Sequence, residues 1–461
     1  MNFAGRKALV LGLGDTGLSM AKWLSRAGAD VRVADTRASP PRLSALRALL
    51  PSVPAACGPL RQESFAGVDL IAISPGVPLA EPHVRRALTA GTRAIGDIEL
   101  FAQSPIGRNS RVIAVTGTNG KTTVTSLAGS MARAAGSDCE VAGNIGPAVL
   151  DALMRREDSG ETPDLWVLEL SSFQLETTDS LAAAAATVLN ISEDHLDRYG
   201  DVEEYAAAKG RIFAGGGLQV LNRDDPRSLA MALPGRRTVT FGLDAPRRAE
   251  DWGLLEQDGE RWLAQGASAL LAVREMKLAG LHNAANALAA LALCRGLGLP
   301  LAPMLGALRE FKGLPHRVEP VGDAGGVRWY DDSKGTNVGS TVAALAGLAH
   351  GGAKVVLIAG GEGKGQDFSP LKDAVARSAR AVVLIGRDAP LIDAAVAGAG
   401  VPVLHAGSMD QAVTLAGDAA RPGDAVLLSP ACASFDMFRD YRHRGEVFRL
   451  AVERRLNVAK H

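Results

Sequence analysis

The chain has 461 residues, 47% of them hydrophobic and 4% aromatic, enough apolar side chain to core about three domains. Lys plus Arg and Asp plus Glu both number 50, so no charge excess exists to coat a nucleic acid or hold the chain on an anionic membrane. Four scattered cysteines, Cys57, Cys139, Cys294 and Cys432, show no metal-like spacing and point to a reducing cytoplasmic setting, and no apolar run reaches signal-peptide or membrane-spanning length.

Apolar runs alternate with helix-period segments almost throughout, the pattern of α/β domains on mainly parallel sheets. Strands are expected at Lys7–Leu11, Asp30–Ala34 and Asp69–Ile73, with helices between them, in a first domain over residues 1–103. Gly12-Leu13-Gly14-Asp15-Thr16-Gly17 follows the first strand, and Asp35 ends the second. Such a G-x-G-x-x-G turn brings a helix N-terminus onto an anion, and Asp35 is placed for a ribose hydroxyl; a glycine turn serving the fold alone stays open as the alternative. Ser74-Pro75-Gly76 closes the third strand at its carboxyl end, the edge where open α/β sheets take ligands.

A second domain, 104–313, opens with a strand from Arg111 that runs into Thr116-Gly117-Thr118-Asn119-Gly120-Lys121-Thr122-Thr123. The glycines let backbone N–H groups converge on phosphate oxygens, Lys121 reaches the terminal phosphates, and the Thr122 hydroxyl can hold Mg²⁺. A standard P-loop has Gly five positions before Gly120, where this chain has Val115, so the loop is a shortened form. A helix is expected over Val124–Ala135, with further strands at Leu165–Glu169, Ala186–Leu189 and Gly217–Leu221. Glu169 and the stretch Asn190 to Asp197, which contains His195, fall at strand ends beside the loop, where Mg²⁺ on a triphosphate requires donors. From Arg237 to Gly280 short strands and turns suggest a small antiparallel extension, followed by helices at His282–Gly298 and Pro303–Phe311.

Gly313-Leu314-Pro315 marks the boundary to a third α/β domain, 314–461, with strands near Val327–Tyr330, Val355–Ala359, Ala381–Ile385, Val401–Leu404 and Ala425–Leu428. Only eleven of the 50 basic residues are lysine, so Arg is the default surface cation and lysines set among Gly, Ser or Thr stand out. These are Lys121, Lys334 and Lys364, each just after an expected strand. Lys209 lies on a helix, where its own context suggests a solvated face.

The stretches Thr116 to Thr123, Gly143-Asn144-Ile145-Gly146, Glu169 to Leu175, Asp194 to Tyr199, His282 to Asn286, Pro315-His316-Arg317 and Asp332-Ser333-Lys334 together resemble the Mur ligase family, in order and over essentially the whole chain. The shortened loop is part of that pattern. The resemblance implies three α/β domains: a Rossmann-like N-terminal domain, a P-loop ATPase-like central domain with a mainly parallel sheet, and a Rossmann-like C-terminal domain. It implies an ATP-dependent amide-bond ligase of peptidoglycan precursor synthesis that works through an acyl phosphate. Gly12 to Gly17 with Asp35-Thr36-Arg37, and Ser429 to Ser434, are most similar to members that join D-glutamate to UDP-N-acetylmuramoyl-L-alanine.

The same resemblance implies the roles of individual residues. ATP would be held by Gly117, Asn119, Gly120, Lys121, Thr122, Thr123, Asn283, Asn286, Arg317 and Asp332. The UDP-linked substrate would meet Asp15, Thr16, Asp35, Thr36, Arg37, Ser74, Gly76 and Asn144, and D-glutamate would meet His195, Thr336, Lys364 and Ser434. Two Mg²⁺ ions would sit on Thr122 and Glu169 and on His195 and a carbamylated Lys209, with Lys121, His195 and Lys209 as the catalytic group. Asp15 departs from relatives that have an apolar residue there, and Tyr441 from a common Phe. The expected partners are these small molecules, with no nucleic acid and no membrane insertion, for a cytoplasmic monomer. A dinucleotide-dependent oxidoreductase and a nucleotide-gated binding protein are the rival classes; members adding L-alanine, a diamino acid or a dipeptide, and folate polyglutamate ligases, are the rivals within the class.

Overall fold

The computed structural model describes residues 3–195, 198–349 and 352–458; Leu196 and Asp197 of the Asp194 to Tyr199 stretch lie outside the described residues. Lys7–Leu11 is buried from its second residue and has apolar side chains on both faces, as a strand covered on both sides must. It is the centre of a five-stranded parallel sheet in the order Ala55–Cys57, Asp30–Asp35, Lys7–Leu11, Leu70–Ile73, Arg93–Ile95. The two outer strands have three residues each, too short to carry a readable period. The helix Asp15–Arg26 packs straight onto the exit of the central strand, and a Cβ at Gly17 would lie 1.8 Å from the Gly12 carbonyl oxygen, so only glycine fits there.

The second sheet has nine strands in the order Ser268–Ala272, Glu260–Gln265, Trp252–Gln257, Thr238–Phe241, Leu218–Asn222, Ala185–Val188, Val112–Thr116, Leu165–Glu169, Cys139–Gly143. Only its far edge is antiparallel. Thr238–Phe241 runs parallel to Leu218–Asn222, so the expected antiparallel extension begins later than its short strands suggested, at the hairpin through Asp258-Gly259. Val112–Thr116 is fully buried between Ala185–Val188 and Leu165–Glu169, which sets its carboxyl end beside Glu169. The following helix spans Lys121–Ala134, three residues earlier than the apolar period indicated, because its first turn is made of Lys121, Thr122 and Thr123. Leu281–Gly296 and Leu301–Glu310 cover that helix, matching the expected pair.

The third sheet orders Glu319–Ala324, Val327–Asp331, Ala425–Leu428, Val355–Gly360, Ala379–Ile385, Val403–His405, all parallel except the edge hairpin turning at Gly325-Gly326. Glu319–Ala324 is polar and half-exposed, and its hydrophobic pattern did not announce it.

The first two sheets share one apolar core. The helix Asp97–Gln103 is buried along its whole length, and Phe101 packs on Trp166 of the second sheet with ring centroids 4.8 Å apart. Two carboxylates go into this seam. Glu99 accepts the backbone N–H groups of Asp179 and Ser180, both at 2.8 Å, while Asp97 accepts the Gln174 amide at 3.1 and 3.3 Å. Burial pushes Asp97 up to about 6, against the pull of Gln174 and nearby backbone N–H groups.

A carboxyl whose folded pKa is raised stabilises the fold below its unfolded value near 4 and loses that contribution as pH rises through 6. Asp97→Asn, which keeps an acceptor for Gln174, should therefore be more stable than the parent at pH 7.5 by on the order of 2 kcal/mol, with the gap closing towards pH 4. Denaturant titrations of both proteins between pH 4.5 and 8 check this; parallel profiles would show that Asp97 ionises freely in the seam.

Candidate active site

The loop that leaves Val112–Thr116 depends on two glycines, Gly117 (φ 150) and Gly120 (φ 83). A Cβ on Gly120 would stand 2.5 Å from Asn286 Oδ1. The Lys121 ammonium donates back to the Gly117 and Thr118 carbonyls, both at 2.8 Å. Lys209, on the helix Val202–Gly210, reaches the same Gly117 carbonyl at 2.9 Å and Thr116 Oγ1 at 3.3 Å, with its Nζ 4.6 Å from the Tyr205 ring centroid. It is fully buried, not the solvated helix residue its local context suggested. Burial first, and then the neighbouring Lys121 charge, hold Lys209 well below the usual lysine range despite Asp194 and Glu169. Lys121 is lowered as well, mainly by burial.

Glu169 ends its strand buried, with Oε1 accepting the Asn144 amide at 2.6 Å. Its Oε2 is buried and has no hydrogen-bond partner among the described residues. A buried carboxylate oxygen left unpaired is costly, and a cation satisfies it best. Thr122 Oγ1 opens the adjoining helix N-terminus, where it accepts Arg317 Nη2 from the third domain at 2.6 Å. This all-oxygen donor pair fits Mg²⁺. His195, at φ 57, stands edge-on to Phe173 with centroids 4.8 Å apart.

Two adjoining cavities lie between the second and third domains. A cleft of about 840 Å³ brings together Asn119, Gly120, Lys121, Thr122, Asn144, Glu169, His195, Arg317, Thr336 and Lys364 from the expected groups. A neighbouring cavity of about 360 Å³ gathers Asn119, Gly120, Thr123, Asn283, Asn286, Arg317 and Asp332, and is walled by Asn222, Phe241 and Leu243. Burial pushes Asp332 up to about 7, opposed by its bond from Ser429 at 2.7 Å and by the Arg317 charge. Ser434 is buried on the loop after Ala425–Leu428. Asp15, Thr16, Asp35, Thr36, Arg37, Ser74 and Gly76 collect at the carboxyl ends of the first sheet, apart from the cleft. There Asp35 accepts Leu13 N–H at 2.6 Å and an Arg37 guanidinium N–H at 2.6 Å. Burial opposes its ionisation, yet Arg37 and the two backbone donors hold it at about 2. Exposed Asp15 pairs with Arg42, and Ser74 Oγ donates to the Gly12 carbonyl.

Several residues of the site escaped the sequence reading. Phe241 ends, and Leu243 follows, a strand that was expected to be antiparallel; its parallel pairing is what aims its carboxyl end at the cavity. Asn337, which bonds Asn119 of the P-loop and reaches Asp194, was given no role either, whereas Asn190, which accepts the Asn119 N–H, and Lys334, over the Tyr441 ring at 4.1 Å, stand in stretches already singled out. Five of the six described non-glycine residues with left-handed backbones, His195, His316, Val318, Lys364 and Ala431, lie in or just behind these cavities. Each such residue costs on the order of 1 kcal/mol, and such strain collects where side chains must be aimed.

Three family models match the chain: the MurD-like N-terminal domain over residues 6–96, the Mur ligase middle domain over 115–294 and the Mur ligase glutamate ligase domain over 316–432. A UDP-N-acetylmuramoylalanine–D-glutamate ligase of Nitrosospira multiformis is 59% identical over 457 residues, covering 98% of this chain and 96% of its own. One from Nitrosomonas europaea is 58% identical over 461 residues, covering 98% and 97%. A pseudomurein peptide ligase type C from Methanothermus fervidus shares the fold at 18% identity, with a TM-score of 0.61 over 98% of this chain and 100% of that one.

The unpaired Glu169 oxygen makes a direct prediction. Glu169→Gln, isosteric but neutral, should raise by about tenfold or more the Mg²⁺ concentration at which ATP protects the protein against thermal unfolding. An unchanged Mg²⁺ requirement would mean that Glu169 Oε2 faces no cation.

Proposed function

The chain belongs to the Mur ligase family, and from that premise we propose that it uses ATP to join D-glutamate to UDP-N-acetylmuramoyl-L-alanine in peptidoglycan precursor synthesis, releasing ADP and phosphate. The observation that carries this reading is the single cleft that sets the P-loop Lys121 from one domain against Thr336 and Lys364 from another. An amide bond needs both, because a carboxylate is too poor an electrophile for an amine to attack directly. The L-alanyl carboxylate oxygen first attacks the γ-phosphorus of ATP, giving an acyl phosphate and ADP. The D-glutamate amine then adds to that acyl carbon, loses a proton, and phosphate departs from the tetrahedral centre.

Both steps gather negative charge, so catalysis consists mainly of positioning and electrostatic stabilisation. Lys121 turns from its own loop carbonyls to the β- and γ-phosphates, and the backbone N–H groups of Gly117 to Thr123 surround them. The adenine enters the smaller cavity between Phe241 and the Asn283 and Asn286 amides, with Arg317 and Asp332 closing from the third domain. Lys364 faces the side-chain carboxylate of D-glutamate, with Thr336, Ser434 and His195 completing that subsite. The uridine diphosphate lies along Asp15, Thr16, Thr36, Arg37, Ser74 and Gly76. Asp35 acts there indirectly, by fixing Arg37 and the Leu13 N–H, and Asn144 meets the muramoyl end.

The family uses ATP with Mg²⁺. We assign one ion to Thr122 and Glu169 and a second to His195 and a carbamylated Lys209; the metal would neutralise charge between the transferring phosphate and its neighbours. Among the described residues no helix is long and apolar enough to cross a membrane. The reading takes the enzyme as a cytoplasmic monomer acting on small molecules.

Phosphate release in the presence of ATP, Mg²⁺ and UDP-N-acetylmuramoyl-L-alanine should depend on D-glutamate, with L-glutamate, L-alanine and diamino acids at least about a hundredfold poorer in kcat/KM. Equal turnover with L-alanine or a diamino acid would overturn the assignment.

A further inference from the structure

The third domain touches the P-loop through one side chain that the reaction scheme above leaves unused. Asn337 is buried at the N-cap of the helix Val338–Leu348, where its Oδ1 accepts Ser340 N–H at 2.9 Å. The same amide makes a reciprocal pair with Asn119 of the P-loop: Asn119 Nδ2 donates to Asn337 Oδ1 at 3.2 Å, and Asn337 Nδ2 donates back to Asn119 Oδ1 at 3.1 Å. Asn337 Nδ2 also lies 3.5 Å from Asp194 Oδ2. Asn119 is itself fixed, its backbone N–H going to Asn190 Oδ1 at 2.8 Å. Approach is close here, since a Cβ at Gly339 would meet Ser192 Oγ at 3.0 Å and Asn119 Nδ2 at 3.3 Å.

We infer that Asn337 is a latch that holds the third domain closed on the P-loop, a positioning residue that brings the amino-acid subsite into register with the phosphates. The inference rests on the ligase reading for what the two sides bind. Asn337 follows Thr336 directly, and the next backbone N–H, of Val338, donates to Gln366 Oε1 at 3.0 Å. Gln366 Nε2 in turn holds the Gly363 and Ala431 carbonyls at 3.0 and 2.7 Å, and so fixes the loop that carries Lys364. The position of Asn119 is thus passed to both Thr336 and Lys364 through one helix start.

The chemistry of the position explains the residue type. Ser, Thr, Asp and Asn all cap helices well, so the cap alone does not select among them. The pair with Asn119 requires an acceptor and a donor on one planar group, and the Asp194 carboxylate requires a donor; among the four cap formers only asparagine offers this.

Asn337→Ser separates the two roles, because it keeps a cap acceptor and loses the amide. It should lower kcat/KM for D-glutamate about tenfold or more, leave the Kd for UDP-N-acetylmuramoyl-L-alanine within about twofold of the parent, and hold the unfolding midpoint near the parent value. Asn337→Asp, with a carboxylate facing Asp194, should be poorer still. In a cycle with Asn119→Ala, the second substitution should add little to the first, whether or not either variant loses stability. Parent-like kcat/KM in Asn337→Ser, or effects of Asn119→Ala and Asn337→Ser that multiply fully in the double variant, would overturn the latch. Turnover of the parent with D-glutamate tests the ligase reading separately.

Discussion

The Gly117 carbonyl oxygen receives two ammonium groups, Lys121 at 2.8 Å and Lys209 at 2.9 Å. Two like charges at one buried acceptor repel, and both lysines are lowered in pKa, Lys209 the further because it is sealed from solvent. Much of the surrounding architecture sustains this arrangement. Val112–Thr116 must be a central strand to put Gly117 there, Tyr205 must cover Lys209, and Glu169 and Asp194 must supply the negative charge that keeps the cluster tolerable. A triphosphate is the ligand whose charge matches such a crowd, since it brings several anionic oxygens into the reach of Lys121 and the loop N–H groups.

Rigidity is unevenly distributed around this centre. The first and second sheets are joined by a common core and by the fully buried Asp97–Gln103 helix, so the carboxyl ends of the first sheet hold a fixed relation to the P-loop. Arg198 adds a direct tie, its guanidinium reaching the Pro75 carbonyl at 3.0 Å while lying over Phe173, which packs on His195. The third domain instead meets the P-loop through polar contacts such as Arg317 to Thr122 and Asn337 to Asn119. Polar, partly solvated contacts break and reform at little net cost, which suits a subsite that must admit substrates.

Buried strands and the P-loop were legible in the chain because their signals are local. A fully apolar run such as Val112 to Val115 followed by Gly-Lys-Thr admits few other structures. The short strands Ala55–Cys57 and Arg93–Ile95 and the polar Glu319–Ala324 were not, since their pairing comes from neighbours rather than from their own pattern. The same division holds in the site. Lys121, Glu169 and Arg317 stand in recognisable motifs, whereas Asn337 gains its meaning only from Asn119, 218 residues away in sequence. Asp35 reads as a ribose ligand by position, but its carboxylate is engaged by Arg37 and the Leu13 N–H. Lys209 was the sharpest conflict: a helical lysine is ordinarily solvated, and only the resemblance to the family, not its context, pointed inward.

Burial and the Lys121 charge both disfavour the protonated form of Lys209, and it is the neutral amine that adds to CO₂ to give a carbamate and a proton. That product would exchange the repulsion between Lys209 and Lys121 for attraction and provide oxygen donors for a cation. The direct measurement is carbon-13 NMR of the protein equilibrated with labelled bicarbonate. The account predicts a carbamate carbon signal that is present in the active parent and missing in Lys209→Ala. A fully active parent with no such signal would contradict it.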